Sequence, residues 1–263
     1  MVRVLIDHSV RRDAQVGQWT TERHSVKWGG HVVSSDVAVL GRRPMPDSSQ
    51  VDRIANIQAL PMIRKLALDG VVELAVSREL KYEGWTGRNP SVGTKGDLLA
   101  GVPIETVSSP IERTFFRQTA DLSQFLDRDY FRDYCDFLNR LSSQQAERCI
   151  ELLPDLPESS IRGLRDIRTF QKLCAGAAIE HYPDLFHWWT AEHAGCSHFL
   201  TMERRFKNVA NNQCRGVVNC KVSWPTELLA ELQITELEPM PMEEGEVMSF
   251  FDAMITTDAN GPQ

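Results

Sequence analysis

The chain has 263 residues, 42% of them hydrophobic and 25% charged, which is enough apolar material for one large domain with its own core. Its net charge of −7 excludes a general polyanion-binding surface, so any nucleic-acid site must be a local basic patch or rely on bound cations. No apolar run reaches the roughly 18 residues of a membrane span, and the opening MVRVLIDHSV lacks the apolar centre of a signal peptide. A cytoplasmic protein with no membrane partner is expected. Cys135, Cys149, Cys174, Cys196, Cys214 and Cys220 show no CxxC pair, and free buried thiols in a reducing compartment are expected of them.

Val2 to Ile6 is a short apolar run ending in Asp7, the pattern of a buried parallel strand. Gly29-Gly30 and the alternating run HVVSSDVAVL predict a hairpin within residues 8–47. Asp47 or Ser48 is placed to cap a helix carrying Ile54, Ile57, Leu60, Ile63 and Leu66, with Pro61 expected to kink or split it. VVELAVS over 71–77 is a second strand, and Arg78 to Glu83 starts the helix after it. Residues 85–120, rich in Gly, Pro and Thr, suggest an irregular insertion. Helical spacing returns over 122–141, 142–152 and 159–178, and Pro183 opens a further helix that stops at Gly195. His198 to Thr201 and Val217 to Val222 are predicted strands, and Pro225 starts a closing helix. From about Thr235 the chain turns acidic and Pro- and Met-rich, the composition of a flexible tail over 235–263, with Phe250, Phe251 and Met254 as a docking turn within it. Strands alternating with helices predict an α/β three-layer α/β/α sandwich with a mainly parallel sheet.

Ligands of a parallel sheet gather beyond the carboxyl ends of its strands. Asp7 ends the first strand, Glu83 follows the second, Asp184 opens a helix, and Glu203 lies two residues after Thr201. Each acid alone has an ordinary explanation as a turn, helix-start or solvated surface residue. Together they reach one edge of one sheet. Four carboxylates in one cleft repel unless some are protonated or a cation neutralises them. Oxygen ligands of this kind suit Mg²⁺ or Mn²⁺, which generate hydroxide and stabilise a phosphate's leaving oxygen. Phosphodiester hydrolysis is the reaction class expected. Around this set, Ser77 and Thr201 are candidates to orient carboxylates or hold water, and Arg204, Arg205 and His187 are candidate phosphate contacts. Trp188 and Trp189 are expected in the core, and Arg162, Arg165 and Arg168 form a basic stripe at every third residue. No GxxxxGK[ST], GxGxxG or GxSxG sequence is present.

At this point the chain resembles the PIN domain, a family of Mg²⁺- or Mn²⁺-dependent ribonucleases. VLIDHSV resembles its first strand, with Asp7 as first acid and Ser9 close behind. VELAVSRELKYE resembles its second strand and helix, with Glu83 as second acid. DLFHWWTAEHAGCSHFLTME resembles its most recognisable segment, with Asp184, Ala191, Gly195, Thr201 and Glu203 at the matching places. VVNCKVSWPTELL resembles the last strand and its proline-started helix. The resemblance implies a PIN-like domain over 1–234, with insertions at about 10–47 and 85–158, and a metal-dependent nuclease, an endoribonuclease on RNA, with single-stranded DNA as a further strand it would bind. It implies Asp7, Glu83, Asp184 and Glu203 as catalytic metal ligands, with attack by a metal-activated water. Glu203 stands where the family pattern has Asp, and two alternatives remain open. One is a catalytically inactive module that binds RNA or a protein. The other is the toxin of a toxin–antitoxin pair, with an inhibitory partner protein. An exposed sheet edge or the helices of 120–152 would serve a homodimer.

Overall fold

The computed structural model describes residues 1–86, 93–116 and 121–254. Residues 87–92 and 117–120 of the expected insertion, and 255–263 of the expected tail, lie outside the described residues. The chain divides into two compact units, one of Met1–Val10, Gly70–Gly87 and Ile104–Trp224, the other of Arg11–Asp69, Arg88–Pro103 and Pro225–Gln263.

The first unit is built on five strands: β1 (Val2–Ile6), β4 (Val72–Ser77), β5 (Ile104–Val107), β6 (His198–Leu200) and β7 (Lys221–Ser223). Their spatial order is β5-β4-β1-β6-β7, and every pairing is parallel. Helices flank this central sheet, in agreement with the α/β class expected. β1 lies in the middle, and its Val4, Leu5 and Ile6 are fully buried. That burial on both faces explains why the sequence shows a continuous apolar run there rather than alternation.

The helices of this unit are α3 (Arg78–Thr86), α4 (Arg113–Phe116), α5 (Leu122–Leu126), α6 (Arg128–Arg140), α7 (Ser143–Leu152), α8 (Glu158–Arg165), α9 (Ile167–Cys174), α10 (Tyr182–His193) and α11 (Arg204–Gln213). Phe186 of α10 is the hub of the core. It meets Phe131 and Tyr134 of α6 and Phe170 of α9 edge-on, at centroid distances of 5.5, 6.2 and 5.8 Å. Such contacts add about 0.5–1.5 kcal/mol each beyond the area they bury. Trp188 and Trp189 are core residues, and each indole N–H has an acceptor: the Cys220 carbonyl at 2.8 Å and Asp166 Oδ2 at 3.2 Å. All six cysteines are free, and five of them are buried.

The second unit holds a long hairpin, β2 (Gly17–Trp28) with β3 (His31–Arg42), and the short β8 (Val247–Ser249) paired to β3. Gly29 and Gly30 both take positive φ at the hairpin turn, a conformation that glycine adopts without strain. Its helices are α2 (Val51–Leu68), α12 (Pro225–Glu231) and α13 (Phe250–Ala253). The residues of α1 (His8–Asp13) are shared between the units at Val10.

Several expectations need correction. Gln50, not Asp47 or Ser48, precedes α2, and Pro61 neither splits nor ends the helix. Pro61 is itself buried among Leu60, Met62 and Ile63, and packing outweighs its one missing hydrogen bond. The predicted helix over 122–141 is two, because Asp127 caps α6 by accepting the amides of Asp129 and Tyr130. The helix over 159–178 is also two, broken at Asp166. The supposed insertion at 85–158 contributes β5, an edge strand of the central sheet, so its middle belongs to the framework. In the stretch expected to be a flexible tail, β8 pairs with Val39–Gly41. Its acidic composition hid a strand of three residues. No helix among the described residues is long and apolar enough to cross a membrane.

Candidate functional site

Asp7 immediately follows β1, and its amide donates to the Leu200 carbonyl at 2.9 Å, tying it to the end of β6. Its carboxylate is fixed from both sides. Oδ1 accepts the His8 amide at 2.7 Å, and Oδ2 accepts the hydroxyls of Ser9 and of Thr201, the latter at 2.9 Å. Ser9 Oγ in turn accepts the Met202 amide at 3.0 Å, and Thr201 Oγ1 accepts the Glu203 amide at 3.0 Å. Ser9 and Thr201 therefore tie the Asp7 carboxylate to the backbone at Met202 and Glu203. The three donors, the His8 amide and the two hydroxyls, hold the Asp7 carboxylate in one orientation.

Glu83 lies on α3 and accepts or shares a proton with His187 Nε2 at 3.1 Å. Burial pushes the Glu83 carboxyl up, but the charge and hydrogen bond of His187, helped by His8 and Arg128, hold it below the ordinary range. Burial lowers His187, and Glu83, Asp7 and Asp184 together raise it above its usual value. The pair is thus favoured as glutamate with imidazolium. His187 is 1% exposed. It underlies Glu83 instead of facing a phosphate, so its place differs from the phosphate contact expected from sequence.

Asp184 sits in the first turn of α10, which Pro183 opens and Gly195, at φ 70°, closes. It keeps part of its surface exposed, yet burial raises its carboxyl, the charge of Asp7 raises it further, and His187 only partly offsets both; it is pushed up to about 7. Glu83 adds to the repulsion, which places Asp7, Glu83 and Asp184 within one electrostatic neighbourhood. Two carboxyls, one held down and one pushed up, are the arrangement from which acid and base roles separate.

Glu203 precedes α11, makes no capping bond with its side chain and is exposed. It lines a cavity together with Asp184 and Arg205. Arg204 is exposed in the same first turn. Ser77 is fully buried, and its Oγ accepts the Leu80 amide at 3.2 Å, a local helix-start bond in place of the expected contact to a carboxylate. His8 and Arg128, both acting on Glu83, were missed. His8 was legible as the neighbour of Asp7. Arg128 lay within a segment that the sequence presented as an insertion.

The donor chemistry of the four acids suits a hard divalent cation. Their placement is less complete. Asp7 Oδ2 already accepts two hydroxyls, and among the described residues no group of three or more His, Cys, Asp or Glu side chains is arranged to hold one ion. The oxygen set is of the kind that suits Mg²⁺ or Mn²⁺. Family models, curated proteins and solved structures were each compared with the chain, and none matched.

Proposed function

We propose that the chain is a Mg²⁺- or Mn²⁺-dependent nuclease of the PIN type, an endoribonuclease with RNA as its substrate, single-stranded DNA being the alternative strand. The observation that carries the reading is the meeting of Asp7, Glu83 and Asp184, from three distant segments, on the carboxyl side of a parallel sheet. These three, with Glu203, would hold the ion. Bound there, it would supply a hydroxide near neutral pH and charge to balance the phosphate. The chain's own contribution is to fix Asp7 through Ser9 and Thr201, to keep Glu83 ionised over His187, and to hold Asp184 ready to exchange a proton near pH 7. A cytoplasmic location goes with this reading and is supported by the unpaired thiols. The test is cleavage of single-stranded RNA and DNA by purified protein with Mn²⁺ or Mg²⁺. Activity should fall by about two to three orders of magnitude in Asp7→Asn and in Asp184→Asn; cleavage near the parent rate in both sinks the assignment.

A second reading, a non-catalytic PIN-like module that binds RNA or a protein, draws support from the absence of a closed donor group among the described residues. Calorimetric titration with Mn²⁺ separates the two. A catalytic cup takes up the ion with release of protons from Asp184, and a retired one gives no heat of binding.

A further inference from the structure

A cavity of about 410 Å³ opens beside Asp184 and Glu203. Its other walls set three arginines and a histidine against two further acids, Asp129 and Glu180. Arg128 and Arg132 come from α6, four residues apart and so on one helix face. Arg205 comes from the first turn of α11, and His181 from the turn before α10. Arg128 and Arg205 are exposed, and Arg132, half-buried, pairs with Asp129 at 2.9 Å. Guanidinium groups converging from separate elements on one concavity match the geometry of phosphate oxygens, which they bind as planar forks.

We propose that this cavity seats a phosphate group of a nucleic-acid strand, next to the phosphate that lies at the carboxylate edge, with Arg128, Arg132 and Arg205 as its contacts. The proposal rests on the nuclease reading for the direction in which the strand runs. The charge count gives it a further property. Three arginines face the carboxylates of Asp129, Glu180, Asp184 and Glu203, so the formal balance is negative by one charge. One divalent ion on Asp184 and Glu203 makes it positive by one. Strand binding here is therefore coupled to metal: each should raise the affinity of the other. The seated phosphate is either an internal diester or a terminal monoester, since both present the same oxygens.

The experiment measures fluorescence anisotropy of a labelled phosphorothioate oligouridylate on the full chain with Ca²⁺, across a salt series. The double variant Arg128→Ala/Arg132→Ala should bind about tenfold more weakly and lose roughly one unit or more of salt slope. Arg140→Ala, at the far end of α6 and paired with Asp136, is the control and should match the parent. Circular dichroism confirms that each variant is folded. A loss confined to 5′-phosphorylated strands identifies a terminal monoester, and a loss with or without that group identifies an internal diester. Unchanged affinity and slope in the double variant overturn the phosphate seat. Arginine-dependent binding in a parent that neither takes up Mn²⁺ nor cleaves overturns the nuclease reading and leaves the seat standing, without its metal coupling.

Discussion

The carboxylate edge of the central sheet and the tip of the β2–β3 hairpin break the same rule in opposite directions. At the first, charge is drawn inside: Asp7, Glu79, Arg113 and His187 are all less than a tenth exposed. At the second, apolar surface is put outside: Val26, Trp28, Val32 and Val33 are 59–80% exposed. Buried charge has to be held by partners, and each of these residues has one or more. Exposed apolar groups in a hairpin that is hydrogen-bonded along its whole length ask nothing of their neighbours. The difference teaches where mutation will be felt. The edge is a network in which every member depends on another, and the hairpin tip is a surface whose side chains are independent of the fold.

The largest expected effect is on chemistry. Asp184→Asn should lower Mn²⁺-dependent RNA cleavage by about two to three orders of magnitude in initial-rate assays, the scale of several kcal/mol of charge stabilisation. Its fold should survive, because the carboxyl it replaces is already disfavoured in its charged form.

Next comes Arg113, which is 2% exposed, pairs with Glu79 at 2.9 Å and lies over the Phe125 and Phe131 rings. Arg113→Met leaves the Glu79 carboxylate buried alone, and denaturant melts above neutral pH should show a loss of about 3–5 kcal/mol. Burial, opposed by Arg113, raises Glu79 to about 7. A carboxyl raised in the folded state favours folding below its unfolded value of 4.5, and that contribution is lost as pH rises towards about 7. The deficit of Arg113→Met should therefore shrink at about pH 5, where Glu79 is protonated. A deficit equal at both pH values would show that ring packing, and not the ion pair, is what Arg113 supplies.

Gly163 offers an apolar counterpart within the same unit. A Cβ there would lie 2.1 Å from the Pro110 carbonyl oxygen, so Gly163→Ala should shift backbone and cost about 1–3 kcal/mol by thermal melting. The smallest effect belongs to the hairpin. Trp28→Ala, at 80% exposure, should change stability by less than about 0.5 kcal/mol. A larger loss in a denaturant melt would end the contrast between the two regions.

The framework was legible where pattern and burial coincide. The apolar runs of β1 and β4, the Pro183 start and the Gly195 stop each announce one element without help from distant residues. The order of the acids was legible for the same reason, since each sits at a strand or helix end. β5 was not, because IETV carries two polar residues that an edge strand tolerates and a central one would not. The roles of His187 and Ser77 were also hidden. A side chain beside an acid in sequence looks the same whether it faces solvent or supports a partner 104 residues away, as His187 does Glu83. Arg128 and Arg132 fall within the helical spacing of 122–141, and nothing in that spacing says which cavity they meet.

Asp7 and Thr201 are 194 residues apart in the chain, yet one hydroxyl joins them. On a ribosome, β1 emerges long before β6 and α10 exist to receive it. The acids therefore cannot assemble while most of the polypeptide is still being made, and a partly synthesised chain carries no complete carboxylate edge. If the chain is the nuclease proposed above, it is therefore inactive until its last core strands have been delivered. The cost is kinetic: long-range parallel pairing is slow, and an apolar β1 waits unpaired in the meantime.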